Sequence, residues 1–426
     1  MKNVNKKMVS LTLAMVLLAT VFAGCGSKPA AVSEAKSTAA ASVAENVTIQ
    51  WWTPNWDEPE SREMAAEFEA ANPGIKVELV ITDWDTYKSK ISTAISTKDA
   101  PELCTVLTTD VAPFAKQGLL TSLNEIAPAA GVNMEDILKP ALDIATVDGK
   151  IYGIPFRHDG SGIYYNVDLL KAAGYDAFPK TWDELVEMSK KVTSGDVTAF
   201  AWPLGNQANA ATRLVQQLYT YGGDVLNAEE TECLLNTDAA KKALSNIVNS
   251  IQEGYASASS AEIDNTKMRD MFGSGQLAFN LTGPFDIDTL KTDYPDLNFK
   301  TAVIPGDKEM GCTTSNGWTI VMAENCANKD AAAKLLAYLT TPENQARLTD
   351  SFPASYEALK YEKFSSEELV PFAKQLDNSR PEPTYTRWAE IEPIIYQYIQ
   401  NATSGTISAE DACEAMTKDI NALIAD

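Results

Sequence analysis

The chain has 426 residues, 45% of them hydrophobic and 22% charged, with 58 acidic against 35 basic side chains and a net charge of −23. That length exceeds one ordinary core and argues two domains, and so acidic a surface argues against nucleic acid and anionic lipid as partners. The single histidine, His158, excludes a His-rich metal site and limits any Ser–His–Asp or Cys–His device to that one residue.

Lys2, Lys6 and Lys7 precede an apolar run over 9–23, the layout of a signal segment and too short to span a bilayer. Phe22-Ala23-Gly24-Cys25 resembles a lipoprotein cleavage box, with Phe22 in place of the usual leucine. The reading is a leader over 1–24 and a lipid on Cys25; cleavage just upstream, with Cys25 incidental, is the alternative. Residues 25–45 are mostly Ala, Ser, Lys, Glu and Thr and read as a flexible tether. Cys104, Cys233, Cys312, Cys326 and Cys413 follow, widely spaced and without CxxC, so neither zinc nor a disulfide framework is indicated. A Cys312–Cys326 pair stays open.

Strands are expected over 47–52, 75–81 and 103–107, with helices between them over 60–71 and, after a loop over 82–85, to about residue 97. This alternation argues a parallel sheet, whose ligand sites lie beyond the C-terminal strand ends. Three loops fall there, carrying Trp56-Asp57, Asp83-Trp84 and Asp110. Two more strands, 151–156 and 162–166, flank Arg157-His158-Asp159-Gly160-Ser161, which reads as a turn or crossing segment. Asn166 or Asp168 would cap the next helix, and Thr181-Trp182-Asp183-Glu184 has the capping-box pattern. A strand over 198–202 is expected to lead into a loop holding Asn206. Helices follow near 211–221, 238–253 and 265–273, then strands over 275–285, 299–305 and 317–322. A helix over 330–339 opens a mainly helical remainder. There is no GxGxxG, P-loop, HExxH, GxSxG or EF-hand pattern.

Six stretches, namely the Trp51-Trp52 strand and loop, 101–120, 149–170, 181–185, 275–287 and the Trp388 region, together resemble the family 1 extracellular solute-binding proteins of ABC transporters. The resemblance implies an α/β, two-lobed periplasmic-binding-protein fold, type II-like, each lobe a mainly parallel sheet flanked by helices. It implies crossings near 156–159, 281–283 and 322–324. One lobe would then be 46–156 with 283–323, and the other 157–282 with 324–426. Carried over residue by residue, it makes Asp110, Asp159, Phe285 and Trp388 cleft residues. Phe285 stands where members carry a sugar-stacking Trp. Trp56, Asp57, Asp83, Trp84, Trp202 and Asn206 join them by loop position, with Trp318 near a crossing and Arg387 beside Trp388.

A sugar presents apolar C–H faces and a rim of hydroxyls, so aromatic rings beside carboxylates and amides suit it. Each residue also has a plainer reading: tryptophans are mostly core, Asp57, Asp83 and Asp110 could simply cap helices, and His158 could join a hinge-side salt bridge with Arg157 and Asp159. The expected function is capture of a carbohydrate by lobe closure. Delivery would be to ABC permease subunits, by a monomer held at the outer face of the cytoplasmic membrane only through Cys25. No catalytic residue, metal or cofactor is expected. The same fold binding a polyamine, betaine or other cation, or a secreted glycoside hydrolase, are the alternatives.

Overall fold

The computed structural model describes residues 47–97 and 100–425, apart from the side chains of Trp84 and Asp85. The expected leader, Cys25 and the tether to residue 45 lie outside the described residues. The strands that carry the fold are β1 (Val47–Pro54), β2 (Ile75–Thr82), β3 (Leu103–Leu107), β4 (Gly153–Gly160), β5 (Gly162–Asn166), β6 (Phe279–Thr282), β7 (Phe299–Ala302), β8 (Thr313–Met322) and β9 (Ser379–Pro381).

The first sheet grows from β1, which pairs in parallel with β2 and β3, as the β–α–β–α–β pattern requires. Helix Glu58–Ala71 between β1 and β2 carries a proline in its first turn and buries Met64, Ala65 and Phe68, so its apolar spacing fixes the face it turns to the sheet. Beyond β3 the sheet turns mixed, because β8 returns antiparallel to both β3 and β4 and picks up β9 in parallel.

Residues 157–160 are strand rather than the expected turn. They extend β4 because β8 supplies a ladder for them, with Gly317 opposite His158. A Cβ at Gly317 would lie 1.9 Å from the Arg157 carbonyl oxygen, so only glycine permits this approach. The second sheet, β6-β5-β7, is antiparallel at both pairings rather than mainly parallel. β5 and β6 are separated by a long excursion, which frees them from the parallel direction a crossover imposes; β6 and β7, joined through helix Asp286–Asp293, run parallel to one another and flank β5 on either side.

Two large apolar cores result. One gathers Ile49, Trp51, Phe68, Leu103, Ile154 and Ile320 around the first sheet, together with Leu335, Leu336 and Leu339 of helix Lys329–Leu339. The other gathers Ile163, Leu185, Leu214, Leu244 and Phe279, with Ile391 and Ile395 from helix Trp388–Thr403. Segment 326–348 therefore packs with the first core, whereas the sequence grouping set it with the second lobe. Ile304 and Cys312 pack with the second core, and β7 pairs with β5, where that grouping had them in the first. The chain stays on the first sheet after β8 because the apolar stripe of 329–339 has its complement there.

Local signals hold elsewhere. Asn166 is the cap of helix Val167–Ala172, accepting from the N–H groups of Asp168 and Leu169. Thr181 and Glu184 form the full capping box of helix Trp182–Val192, an arrangement whose cap hydroxyl stabilises by about 1 kcal/mol. The expected strand over 198–202 makes only isolated bridges, Thr198 with Leu277 and Phe200 with Ala256. All five described cysteines are free and buried, so Cys312 and Cys326 do not pair. Among the described residues no helix is long and apolar enough to cross a membrane.

Candidate functional site

A cavity of about 150 Å³ opens where both cores contribute walls. Asp159, Gly160 and Ser161 come from the end of β4, and Asn209, Thr212 and Arg213 from helix Gln207–Thr220. Thr282, Gly283 and Phe285 come from the end of β6, and Thr314, Asn316 and Glu382 from β8 and just beyond β9. A Cβ on Gly283 would lie 2.1 Å from the Phe285 ring, so the bare glycine is what lets that ring fold back beside the cavity.

Three charged groups shape it. Arg157, with a side chain only 8% exposed, donates through Nε to Asp159 at 2.6 Å and through Nη1 to Asp350 at 3.0 Å. Its guanidinium carbon lies 5.3 Å from the centroid of the Phe285 ring, within cation–π reach. Burial opposes the charge on Arg157, but Asp159 and Asp350 outweigh it and its pKa is raised. Asp57 feels the same guanidinium. Burial pushes its carboxyl up to about 8, against the pull of Arg157 and a hydrogen bond from the Trp56 side chain.

Glu382 accepts from Asn316 Nδ2 at 2.6 Å and from Thr212 Oγ1 at 3.2 Å, which ties β8 to the helix of the other core. Burial raises its pKa, and also that of Asp110, whose carboxylate lies 4.0 Å from Lys88 Nζ. Arg213, 4% exposed, donates to Ser161 Oγ, Gln216 Oε1 and the Leu281 carbonyl, all neutral acceptors. Burial lowers its pKa to about 10, so it remains charged at neutral pH, and its buried Nε has no hydrogen-bond partner among the described residues.

The cavity therefore collects two of the residues singled out from sequence, Asp159 and Phe285. Asp57 joins through Arg157, and Asp110 through Lys88, which the Glu382 charge also reaches. Neither Asp57 nor Asp110 makes a side-chain cap bond to the helix that follows it. Trp56 and Trp318 meet edge to face at 4.5 Å, with Trp318 8% exposed in the first core. Asp83 is exposed and accepts from Asn55 Nδ2 at 3.4 Å, while the Trp84 side chain lies outside the described residues.

Trp202 is a correction. It is 2% exposed inside the second core, its Nε1 donating to Ser250 Oγ at 2.8 Å and its ring stacked on Trp182, so no face is left for a ligand. Asn206 is exposed and caps helix Gln207–Thr220 by accepting from the Asn209 N–H; its neighbour Asn209 is the one that reaches the cavity. Trp388 is half-buried against the second core beside Tyr385 and does not line the cavity. Arg387 is committed to Glu390 and the Leu423 carbonyl, linking two C-terminal helices. Arg157 and Asp159 do form a salt bridge, but His158, 3% exposed, is not part of it, and burial lowers its pKa and keeps it neutral.

Arg213, Asn209, Thr212, Asn316 and Glu382 are the functional candidates that sequence reading missed. One signal was present: Arg213 falls in the stripe of Ala210, Leu214 and Gln217, where a charge interrupts an otherwise buried helical face. Among the described residues no cluster of three or more metal-ligating side chains occurs. The arrangement offers an aromatic face, carboxylates, amides and hydroxyls, all suited to reversible hydrogen bonding of a polyhydroxyl ligand.

The family model described as "Bacterial extracellular solute-binding protein" matches residues 55–346. A binding protein of Brucella abortus is 27% identical over 82% of this chain and 85% of its own length. The maltooligosaccharide ABC transporter solute-binding lipoprotein of Streptococcus pneumoniae is 25% identical over 94% of this chain and 92% of its own. Among solved structures, an ABC substrate-binding protein of Listeria monocytogenes in complex with cycloalternan superposes with a TM-score of 0.80. It is 22% identical and covers 89% of this chain and 100% of that one.

Proposed function

The chain belongs to the bacterial extracellular solute-binding proteins, and from that membership we propose that it is the lipid-anchored capture subunit of an ABC importer, closing on a sugar or oligosaccharide and handing it to a membrane permease. The observation that carries the sugar reading is the cavity itself, where the Phe285 ring meets Asp159, Glu382 and amides drawn from both cores. The lobe division that fits the two cores groups 47–157 with 316–348, and 162–312 with 385–424. A ligand that touches both sets of walls binds the closed arrangement better and shifts the population toward it. The sugar-binding relative in Streptococcus pneumoniae, named a lipoprotein, supports both the ligand class and the lipid on Cys25. Such an anchor with a tether over 25–45 would keep the body at the outer face of the cytoplasmic membrane.

The test is a thermal-shift screen of residues 27–426 against mono- and oligosaccharides, polyamines and betaines. A ligand at a hundredfold excess over its Kd stabilises the folded state by about 2.7 kcal/mol. A shift with a saccharide, sugar recovered unchanged, and loss of the shift in Phe285→Ala support the proposal. A shift confined to cations refutes the sugar assignment and leaves the fold standing. One observation favours a hydrolase as second reading: Asp159 and Glu382 line the same cavity and burial raises the pKa of Glu382. Cleaved sugar in the recovered sample would establish that reading instead.

A further inference from the structure

Arg213 and Glu382 face one cavity from different parts of the fold, and neither has an ion-pair partner among the described residues. Glu382 supports the charge of Arg213 and Lys88 that of Glu382, but only at longer range, so neither charge is met by direct contact and the cavity they share suits an occupant that hydrogen-bonds to both. The other charges nearby are already matched: Asp159 with Arg157, and Asp110 with Lys88. Arg157 stands behind the cavity wall as the partner of Asp159; its second partner Asp350 is 42% exposed and screened by solvent, and burial holds the Asp57 carboxyl up to about 8 and so mostly neutral at pH 7.

We infer that Arg213 and Glu382 are a specificity-determining pair that sets the charge of the saccharide this cleft accepts. With Arg157 and Asp159 they leave the cavity with no net charge, so it favours an uncharged ring. One hydroxyl of that ring donates to the Glu382 carboxylate, and a neighbouring hydroxyl oxygen accepts from the Arg213 guanidinium. A uronate would set its carboxylate against Glu382, and an amino sugar its ammonium against Arg213. Removing either protein charge reverses the preference: Glu382→Gln leaves the cavity positive, and Arg213→Gln leaves it negative. The inference rests on the sugar reading above.

The experiment is calorimetric titration at pH 8, which draws Glu382 toward its ionised form, with the triglucosamine and maltotriose arms repeated at pH 6, where the amino sugar is an ammonium. Maltotriose, trigalacturonate and triglucosamine are titrated into the wild type, Glu382→Gln, Arg213→Gln and Arg213→Lys. The wild type is expected to bind maltotriose at least tenfold more tightly than either charged trisaccharide, a difference of about 1.4 kcal/mol. Relative to maltotriose, Glu382→Gln gains at least tenfold for trigalacturonate, and Arg213→Gln gains at least tenfold for triglucosamine. Arg213→Lys, which keeps the charge without the planar fork, weakens binding but keeps the wild-type order and guards against a folding failure in Arg213→Gln. Ligand-free melting temperatures check folding of every variant. Wild-type preference for a charged trisaccharide, or variants that weaken all three ligands equally, overturns the charge inference while sugar binding stands. No binding of any trisaccharide by the wild type overturns it together with the sugar reading.

Discussion

Arg157→Met removes one guanidinium and keeps most of the aliphatic volume. The Asp159 side chain is 16% exposed and would lose its only ion-pair partner among the described residues, and breaking a buried pair from one side costs about 3–5 kcal/mol. Asp350 is 42% exposed, so solvent screening reduces its pair to less than about 1 kcal/mol. The contact over Phe285 adds roughly another 0.5–1 kcal/mol. These contributions share one side chain and overlap, so the expected loss is about 4 kcal/mol. It should depend on pH. The charge of Arg157 holds the Asp57 and Asp350 carboxyls down against burial, so its removal raises both further. A carboxyl raised in the folded state contributes stability that is present below its unfolded value and lost as pH rises through its folded value. The window for Asp57 runs from 3.8 to about 8 in the wild type and extends higher in the variant. Urea denaturation at pH 5 and pH 8, with matched m-values, should therefore show the larger penalty at pH 8. A loss below 1 kcal/mol, or the same loss at both pH values, refutes the argument.

Asp57→Asn should stabilise the protein by roughly 2 kcal/mol at pH 8 and change little at pH 4, since the carboxyl held up to about 8 is neutral in acid and strained toward ionisation above it. Paired thermal melts at the two pH values check this, and a gain at pH 4 equal to that at pH 8 counts against it. Trp202→Phe should cost about 1–3 kcal/mol by removing the Nε1 donor to Ser250 and core volume. Saccharide affinity should stay within twofold, so a collapse of binding in a folded variant would return Trp202 to the cleft. Gly317→Ala forces a methyl against the Arg157 carbonyl at 1.9 Å, where backbone cannot yield, and should cost about 3 kcal/mol. Wild-type melting behaviour would show that β4 and β8 approach less closely than described.

Phe285 and Asp159 were legible because each sits in a local pattern, Gly-Pro-Phe after a strand and a polar run between two apolar ones. Trp202 misled for the opposite reason. Its neighbours Pro203 and Gly205 look like loop, yet the ring is drawn inward beside Phe200 by Trp182 and the Ser250 hydroxyl, partners from distant parts of the chain. Arg213 carried a faint signal as a charge in an apolar helical stripe, and Glu382, in a polar segment after a three-residue strand, carried none.

By itself the sequence determined the caps, the apolar faces and the parallel core of the first sheet, because hydrogen bonds within a turn and side-chain periodicity are decided over a few residues. The capping box at Thr181, a cap at the start of helix Val167–Ala172 and the parallel direction of β1, β2 and β3 follow from such local patterns. Only the tertiary structure decided where the chain crosses and which polar groups meet. Whether 157–160 is a turn or a strand depended on β8 arriving beside it, and which core takes 329–339 depended on complementary apolar surface elsewhere. The charged cavity is the furthest removed from sequence. Its Arg213 and Glu382 are distant in the chain, and what they do comes from sharing one enclosed cavity without a direct ion pair, a condition that no local stretch encodes.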